Sequence, residues 1–441
     1  MGHLAGRAPD RPLMSRFGSW LARRAYSDLL RLLKPVYVLR LWWRGRAEPL
    51  YRHAIGERLG DYLGEPREGA LWVHAVSLGE TRAAAALIDA LRRVDPTLHL
   101  LLTHSTATGR EAGQALLREG DAQAWLPYDT PGVVQRFFTQ FKPAVGVLME
   151  TEIWPNLLQA AHEAKVPMVL ANARLSVKSH RRGQRLSVVM QPAAASLALV
   201  LAQTEDDAAR LRDSGAREVV VCGNLKFDIT PDETLLARGQ GWRKALGRAV
   251  VMAAVTREGE EAMLLAAWTR QPAGQRPLLL IVPRHPQRFD EVAALVQQAG
   301  LVVARRSQWT DAPDDAALRA DVWLGDSMGE MPLYYGTADV ALLGGSFAPL
   351  GGQNLIEAAA CGCPVVMGPH TFNFAEAARL SLEAGASVRV VDMNEGVGRA
   401  LELAGHDERD VVAQRAVAFA AQHRGAAQRM AHRIEPLLQP R

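Results

Sequence analysis

Cysteine is scarce in this chain: Cys222, Cys361 and Cys363 are the only ones among 441 residues. An odd number of thiols provides no disulfide framework, which favours a reducing compartment such as the cytoplasm. The sequence also lacks the Walker A loop of nucleotide hydrolases and the G-x-G-x-x-G fingerprint of dehydrogenases. These two absences argue against ATPase and dehydrogenase activity.

Sequence patterns for a bound metal are missing as well. There is no H-E-x-x-H, no pair of C-x-x-C motifs and no D-x-D spacing, so a dedicated metal site has no support in the sequence. We therefore expect chemistry that needs neither a metal nor a cofactor. The segment from Cys361 to Cys363 has too few ligands for zinc and is interpreted as a buried turn.

Positive charge is concentrated near the start of the chain. Residues 1–60 hold eleven Arg and one Lys against four acidic residues, whereas the whole chain has a net charge of only +4. An apolar stretch from Tyr26 to Trp43 overlaps this region, but three basic residues and Pro35 interrupt it. It is therefore a poor bilayer span and favours an interfacial membrane segment, or else a helix packed on the protein's own core. The first 20 residues lack the apolar core of a secretory signal, so no cleaved leader is expected.

Short apolar runs of strand length alternate with longer helical stretches, and the pattern occurs twice. This alternation predicts α/β architecture with parallel sheets, and the length favours two domains. We predict a basic, aromatic segment over 1–45, Rossmann-like domains over 46–225 and 249–406, a linker over 226–248, and a helical end over 407–441 that crosses back to the first domain. Two such sheets facing a cleft would bind ligands in the loops after their strands.

Three charged residues in the first half are candidates for catalysis. Glu80 follows the first predicted strand, where it can act as a general base or close a capping box with Ser77. Glu150 ends the strongest apolar strand of this half; the alternative to a functional role is an ion pair with the basic segment 174–185. Lys226 lies where the predicted domains join, and its ammonium either faces the cleft or is a surface group.

The second half contains candidates for a nucleotide pocket. Asn354 and Glu357 resemble a helix start with an N-cap and a reciprocal carboxylate. Gly351 and Gly352 precede them and let the backbone approach a phosphate, which the helix N-terminus favours. Glu357 can also accept both ribose hydroxyls. The further candidates are Pro283, Arg284, Met328, Gly329 and Glu330.

In this order, these segments closely resemble the family of 3-deoxy-D-manno-octulosonic acid (Kdo) transferases of lipopolysaccharide synthesis. The resemblance rests on residues 41–46, 74–80, 149–156, 223–228 and 368–374. It implies a GT-B fold, CMP-Kdo as donor, a lipid A precursor as acceptor, and inverting transfer without a metal or cofactor. It also implies that the protein acts at the cytoplasmic face of the inner membrane and that it has no nucleic acid partner.

The resemblance further implies roles for single residues. It assigns the general base to Glu80 and transition-state support to Glu150 and Lys226. Val255 stands where the family usually has Ser, which removes one hydroxyl, and Gln353 stands where some members have His; we assign neither side chain a role. The CMP contacts implied are Pro283, Arg284, Met328, Gly329, Glu330, Asn354, Leu355, Ile356 and Glu357.

Two alternatives to this function remain. The first is another GT-B transferase that uses a UDP-sugar and acts on a lipid-linked amino sugar. The second is a non-catalytic binding protein built from two Rossmann-like domains.

Overall fold

The structure is a computed structural model that describes residues 13–63, 68–272 and 276–438, with side chains from residue 18 onward. The chain divides into two compact units. The first comprises the residues up to Asp228 together with those from Gly425, and the second comprises Ile229–Arg424. Residues 1–12 of the predicted N-terminal segment lie outside the described residues.

The first unit is built on a seven-stranded sheet in which every neighbouring pair is parallel. Its strands are almost continuously apolar because helices cover both faces. The spatial order is β3-β2-β1-β4-β5-β6-β7, so the chain changes direction across the sheet between β1 and β4. The strands are β1 (Leu71–His74), β2 (Leu100–His104), β3 (Ala122–Trp125), β4 (Val145–Met149), β5 (Met168–Ala173), β6 (Leu199–Ala202) and β7 (Val219–Val221).

Nine helices described before residue 228 accompany this sheet. Several begin at recognisable signals, such as a Ser77 or Thr204 side chain that caps the first turn. They are α1 (Leu13–Arg44), α2 (Ile55–Arg58), α3 (Leu78–Val94), α4 (Ala107–Gly113), α5 (Pro131–Phe141), α6 (Pro155–Glu163), α7 (Val177–Arg185), α8 (Ser187–Ala195) and α9 (Glu205–Asp213).

The second unit repeats the plan with another seven-stranded parallel sheet. Its spatial order is β10-β11-β9-β8-β12-β13-β14, and the chain changes direction between β8 and β12. The strands are β8 (Val250–Thr256), β9 (Leu278–Pro283), β10 (Val303–Arg305), β11 (Val322–Leu324), β12 (Val340–Leu343), β13 (Val365–Met367) and β14 (Ser387–Arg389).

Residues 226–248, predicted as a linker, contain a 3₁₀ turn (Leu225–Phe227) and then a helix that packs within the second unit. The nine helices described in this unit are α10 (Glu233–Leu246), α11 (Glu260–Thr269), α12 (Phe289–Gln298), α13 (Asp315–Arg319), α14 (Met331–Thr337), α15 (Leu355–Ala360), α16 (Ala375–Glu383), α17 (Met393–Ala404) and α18 (Glu408–His423).

A last helix, α19 (Ala426–Leu438), belongs to the first unit. Asp228 fixes its start by accepting hydrogen bonds from the backbone N–H groups of Gly425 and Ala427. Met430 is buried in the same cluster as residues of α3 and of alternate positions on β1. The predicted helical end 407–441 therefore consists of α18 in the second unit and α19 in the first; residues 439–441 lie outside the described residues.

Candidate functional site

Glu80 lies in the first turn of α3, directly after β1. Its Oε2 accepts a hydrogen bond from the Val76 N–H at 2.9 Å, and its Oε1 accepts one from the Ser77 hydroxyl at 3.1 Å. Burial, together with the negative charges of Glu150 and Glu152, raises the pKa of Glu80 to about 7, although the Val76 hydrogen bond opposes the shift. The Glu80 side chain therefore closes the capping box and also has a pKa close to neutrality.

Glu150 follows β4, the strand next to β1 at the point where the chain changes direction. Open α/β sheets bind ligands at such points. Its φ of 59° places it in the left-handed region, which is uncommon for a residue other than glycine and often marks a functional site. Lys226 Nζ lies 3.4 Å from Glu150 Oε1. The structure thus brings Glu80, Glu150 and Lys226 together in the first unit.

The second carboxylate of this loop, Glu152, has a different partner. Its Oε2 accepts a hydrogen bond from Trp154 Nε1 at 2.7 Å, and burial raises its pKa. Within the described residues, neither Glu152 nor Glu150 forms an ion pair with segment 174–185. The alternative that this segment neutralises the two carboxylates is therefore wrong.

Three amide side chains at the ends of neighbouring strands hold the turn that carries Lys226. Asn172 Oδ1 accepts from the Leu225 N–H at 3.0 Å, and its backbone carbonyl accepts from Gln203 Nε2 at 2.9 Å. Gln203 Oε1 in turn accepts from Asn224 Nδ2 at 3.0 Å, and Asn224 Oδ1 accepts from the Lys226 N–H at 2.9 Å. The position of Lys226 is therefore fixed by the ends of the strands.

Arg284 and Glu357 lie within electrostatic reach of each other in the second unit. Pro283 ends β9, and the Arg284 N–H donates to the Thr256 carbonyl at 2.9 Å. Burial raises the pKa of Glu357, while the positive charge of Arg284 lowers it. A cation and a carboxylate therefore meet on the carboxyl side of this sheet.

Asn354 caps α15 as predicted, with its Oδ1 accepting from the Ile356 N–H at 3.1 Å. The predicted reciprocal bond from Glu357 is wrong: in the described part of the chain, the Glu357 carboxylate makes no hydrogen bond. Leu355 and Ile356 are buried, so they offer a ligand their backbone and not their side chains. The free carboxylate of Glu357 is consequently a polar group of this turn that is available to a ligand.

The loop after β11 contains Met328, Gly329 and Glu330. Met328 is 66% exposed, and Gly329 has a φ of 79° that favours glycine. The Glu330 carboxylate accepts hydrogen bonds from Arg306 at 2.8 Å and from Arg238 at 2.9 Å. Because two guanidinium groups already occupy this carboxylate, it acts as an anchor of the loop.

A neighbouring segment was not predicted as part of the site. Gly351 has a φ of 91°, and a Cβ on it would lie 2.3 Å from Asn373 Nδ2. Asn373 Nδ2 donates to the Leu350 carbonyl at 3.0 Å, so segment 368–374 packs directly on the glycine loop before α15. The sequence signal was the resemblance of this segment to the family, for which no role had been inferred.

Two buried glutamates at the start of α11 were also missed, and one of them shapes the loop after β12. Glu260 accepts hydrogen bonds from the N–H groups of Gly345 at 2.7 Å and Phe347 at 3.1 Å. Glu261 accepts from Arg288 Nη1 at 2.7 Å. Adjacent acidic residues at the start of an otherwise apolar helix were the available signal, because buried carboxylates require partners.

Val255, which replaces the family's Ser, has a φ of 58°. This conformation is a genuine outlier for a β-branched residue and is retained only where the surroundings enforce it. Its carbonyl oxygen would lie 2.2 Å from a Cβ on Gly344, so the glycine is needed for the close approach of the two backbones. The strain is located where the second sheet changes direction.

Helix α1 presents a row of large apolar side chains to solvent. Leu29, Leu32, Val36, Leu39 and Trp43 recur at spacings of three or four, which places them on one helical face, and all are exposed. None of the helices in the described ranges combines the length and apolar character needed to cross a bilayer.

The opposite face of α1 packs on the first unit. The Tyr26 hydroxyl donates to Asp129 at 2.9 Å, and the Ser27 hydroxyl donates to Asn156 Oδ1 at 2.9 Å. Leu41 is buried. The helix therefore combines a docked face with an uncovered apolar face.

The chain is similar to known proteins of one family. The sequence profile described as 3-deoxy-D-manno-octulosonic-acid transferase (kdotransferase) matches residues 53–229. A 3-deoxy-D-manno-octulosonic acid transferase of Bordetella pertussis is 46% identical and covers 95% of this chain and 100% of its own length. The protein of the same name from Haemophilus influenzae is 32% identical and covers 94% and 98%.

Among solved structures, a glycosyltransferase from Rickettsia africae aligns with a TM-score of 0.52 at 12% identity, covering 84% of this chain and 99% of that one. At this identity the likeness concerns the fold alone. Two doubly wound parallel units confirm the predicted GT-B class. Since both sequence relatives match over nearly their full length, the chain belongs to the 3-deoxy-D-manno-octulosonic acid (Kdo) transferase family of glycosyltransferases.

Proposed function

We propose that this enzyme transfers Kdo from CMP-Kdo to a lipid A precursor, with Glu80 as the general base. The observation that carries the proposal is a carboxylate with a pKa of about 7 at the end of β1, beside the Glu150–Lys226 pair. A general base works best when its pKa is close to the operating pH. The family relationship supports Kdo as the sugar.

The reaction is a single displacement. An acceptor hydroxyl oxygen forms a bond to the anomeric carbon of Kdo as its proton passes to Glu80, and the bond from that carbon to the CMP phosphate breaks. Attack opposite to the leaving group inverts the anomeric centre. Kdo carries a carboxylate on its anomeric carbon and the departing phosphate gains charge, so a cation such as Lys226 beside Glu150 stabilises the transition state.

We assign nucleotide binding to the second unit, through the backbone at 283–284, 328–330 and 354–356 and the carboxylate of Glu357. Replacing Glu357 with glutamine is expected to weaken CMP binding about tenfold, because hydrogen bonds from the ribose hydroxyls to a charged acceptor are stronger than those to a neutral one. Titration calorimetry with CMP measures this change.

The matched control for this prediction is Glu383→Gln. Glu383 is exposed and is held by Arg379 on α16, so its replacement should leave CMP affinity unchanged. Equal CMP affinities for the unsubstituted enzyme, Glu357→Gln and Glu383→Gln would contradict the assignment of Glu357.

Competition between nucleotides separates the proposed donor from the alternative UDP-sugar. Transfer should be inhibited by CMP at concentrations where UDP has no effect. Stronger inhibition by UDP, with transfer from a UDP-sugar, would support the alternative.

Membrane attachment through α1 would bring the enzyme to its lipid acceptor. The uncovered apolar face can enter the interface, while the exposed Arg31 and Arg40 contribute up to about 1 kcal/mol each beside anionic lipid. Trp43 favours the headgroup level. We therefore propose that α1 attaches the enzyme to the inner membrane, and the scarcity of cysteine favours the cytoplasmic face.

A double substitution tests this attachment. Leu32→Glu with Val36→Glu should reduce binding to anionic phospholipid vesicles at least about tenfold, because each buried aliphatic side chain contributes roughly 1.5–3 kcal/mol. Sedimentation with vesicles gives the bound fraction.

The control carries the same two charges elsewhere. Val411 and Val417 on α18 are each 47% exposed, and replacing both with glutamate should leave vesicle binding intact. Retained binding by the α1 variant, or an equal loss in both variants, would count against α1 as the membrane surface.

A further inference from the structure

A cavity of about 300 Å³ in the first unit adjoins the loop that follows β4. Thr151 and Ile153 of that loop form one wall, and Leu175, Leu186 and Met190 add apolar surface. The volume is at the lower end of the range for small-molecule sites, roughly 300–1,000 Å³, and exceeds the ~150 Å³ of an apolar cavity that binds benzene. The cavity is thus large enough for part of an organic ligand and lies next to the proposed catalytic carboxylates.

Helix α7 forms an edge of this cavity and carries charge of one sign. Lys178, Arg181, Arg182 and Arg185 are exposed, and α7 has no acidic residue. Within the described residues, none of these four cations forms an ion pair with a carboxylate. Arg182 also lines the cavity, so it is the member of this group that is available to an anionic ligand at the cavity mouth.

Two polar contacts hold α7 in this place. His180 Nε2 lies 2.8 Å from Asp213 Oδ2, and Gln184 Nε2 donates to the same oxygen at 3.2 Å. On the other side, α8 lines the cavity through Met190 and also packs against α1. Helix α8 therefore lies between the cavity and α1, the helix that we assign to the membrane surface.

We propose that this cavity binds part of an acyl chain of the glycolipid acceptor, while Arg182 at its edge binds an acceptor phosphate. The proposal rests on the proposed transfer of Kdo to a lipid A precursor, and it adds where the apolar part of that acceptor is held. Polar residues such as Ser179, Gln191 and Asp213 also line the cavity, but most of its surface is apolar, which suits an acyl chain better than a sugar. Each methylene removed from water instead favours binding by about fourfold.

Filling the cavity tests the proposal. Met190→Trp should raise the KM for the acylated lipid A precursor at least about tenfold, since several methylenes lose their site. Its kcat/KM for the deacylated, water-soluble form of the same acceptor should stay within about twofold of the unsubstituted enzyme. Both acceptors are assayed with CMP-Kdo in detergent, which keeps vesicle binding out of the comparison.

Val188→Trp is the matched control, because Val188 lies on the same helix, is 53% exposed and does not line the cavity. Val188→Trp should change neither the KM for the acylated acceptor nor the kcat/KM for the deacylated one. If Met190→Trp does not fold, Ser187→Trp fills the cavity from an exposed position. Equal effects of the filling variant on both acceptors, no effect on either, or the same effect from Val188→Trp would overturn the proposal. If the unsubstituted enzyme transferred Kdo to neither acceptor, the proposed function itself would fail first.

Discussion

Glu80→Gln is expected to lower turnover at least about 100-fold, the lower range for general base catalysis, while the affinity for CMP stays unchanged. Glutamine keeps the shape of the side chain and can still close the capping box with Ser77 and Val76. It cannot accept the proton of an acceptor hydroxyl. Single-turnover transfer from CMP-Kdo, with CMP titration alongside, separates the chemical step from donor binding.

The chain contains a second capping box of the same design, which provides the control. Glu395 Oε2 accepts from the Val391 N–H at 2.7 Å, and the Glu395 N–H donates to Asp392 at 2.9 Å. Glu395→Gln should leave turnover unchanged. A similar loss in both variants, or near-normal turnover in Glu80→Gln, would contradict the role of Glu80.

The same assignment determines the direction of the pH dependence. Since the pKa of Glu80 is about 7, the carboxyl is mostly protonated below this pH and cannot take up another proton. The value of kcat/KM should therefore fall about tenfold per pH unit below pH 7 and reach a plateau above it. Glu80→Gln should lose this limb of the profile.

Lys226→Met is expected to lower turnover about 100-fold or more, the usual range when a preorganised group that stabilises transition-state charge is removed. The substitution also leaves the Glu150 carboxylate without its cation. Because the charge of Glu150 raises the pKa of Glu80, the acidic limb of the pH profile should move to higher pH. Adding Glu150→Gln should return the limb to lower pH without restoring turnover.

Lys142→Met is the control for this experiment. Lys142 forms an ion pair with Glu68 at an exposed position. Surface ion pairs of this kind contribute little to the stability of the fold. Its loss should leave turnover and the pH profile unchanged. Full activity of Lys226→Met would show that the ammonium is not needed for charge stabilisation.

Much of the fold could be predicted because it depends on local pattern. Buried parallel strands require continuous apolar runs, and such runs identified β1 and β4 together with their neighbours. The capping box of Glu80 could be predicted for the same reason, since its partners lie within four residues. Its raised pKa could not, because this depends first on burial in the folded chain and then on the charges of Glu150 and Glu152 from another strand end.

Contacts between distant segments account for what was missed. The sequence predicted that 328–330 contact the nucleotide, but it did not predict that Arg306 and Arg238 from other elements bind the Glu330 carboxylate. For α1 the sequence left membrane and core packing as alternatives, whereas its two faces differ: one is docked and one is uncovered. Pattern identifies an apolar face, but only the tertiary structure shows whether that face is covered.

The most direct test of the proposed function is the mass of the lipid product after incubation of the pure enzyme with CMP-Kdo and a lipid A precursor. We expect the lipid to gain the mass of one or more whole Kdo residues, with CMP released in equal number. An unchanged lipid in the presence of folded, CMP-binding enzyme, or a mass gain that appears only with a UDP-sugar, would contradict it.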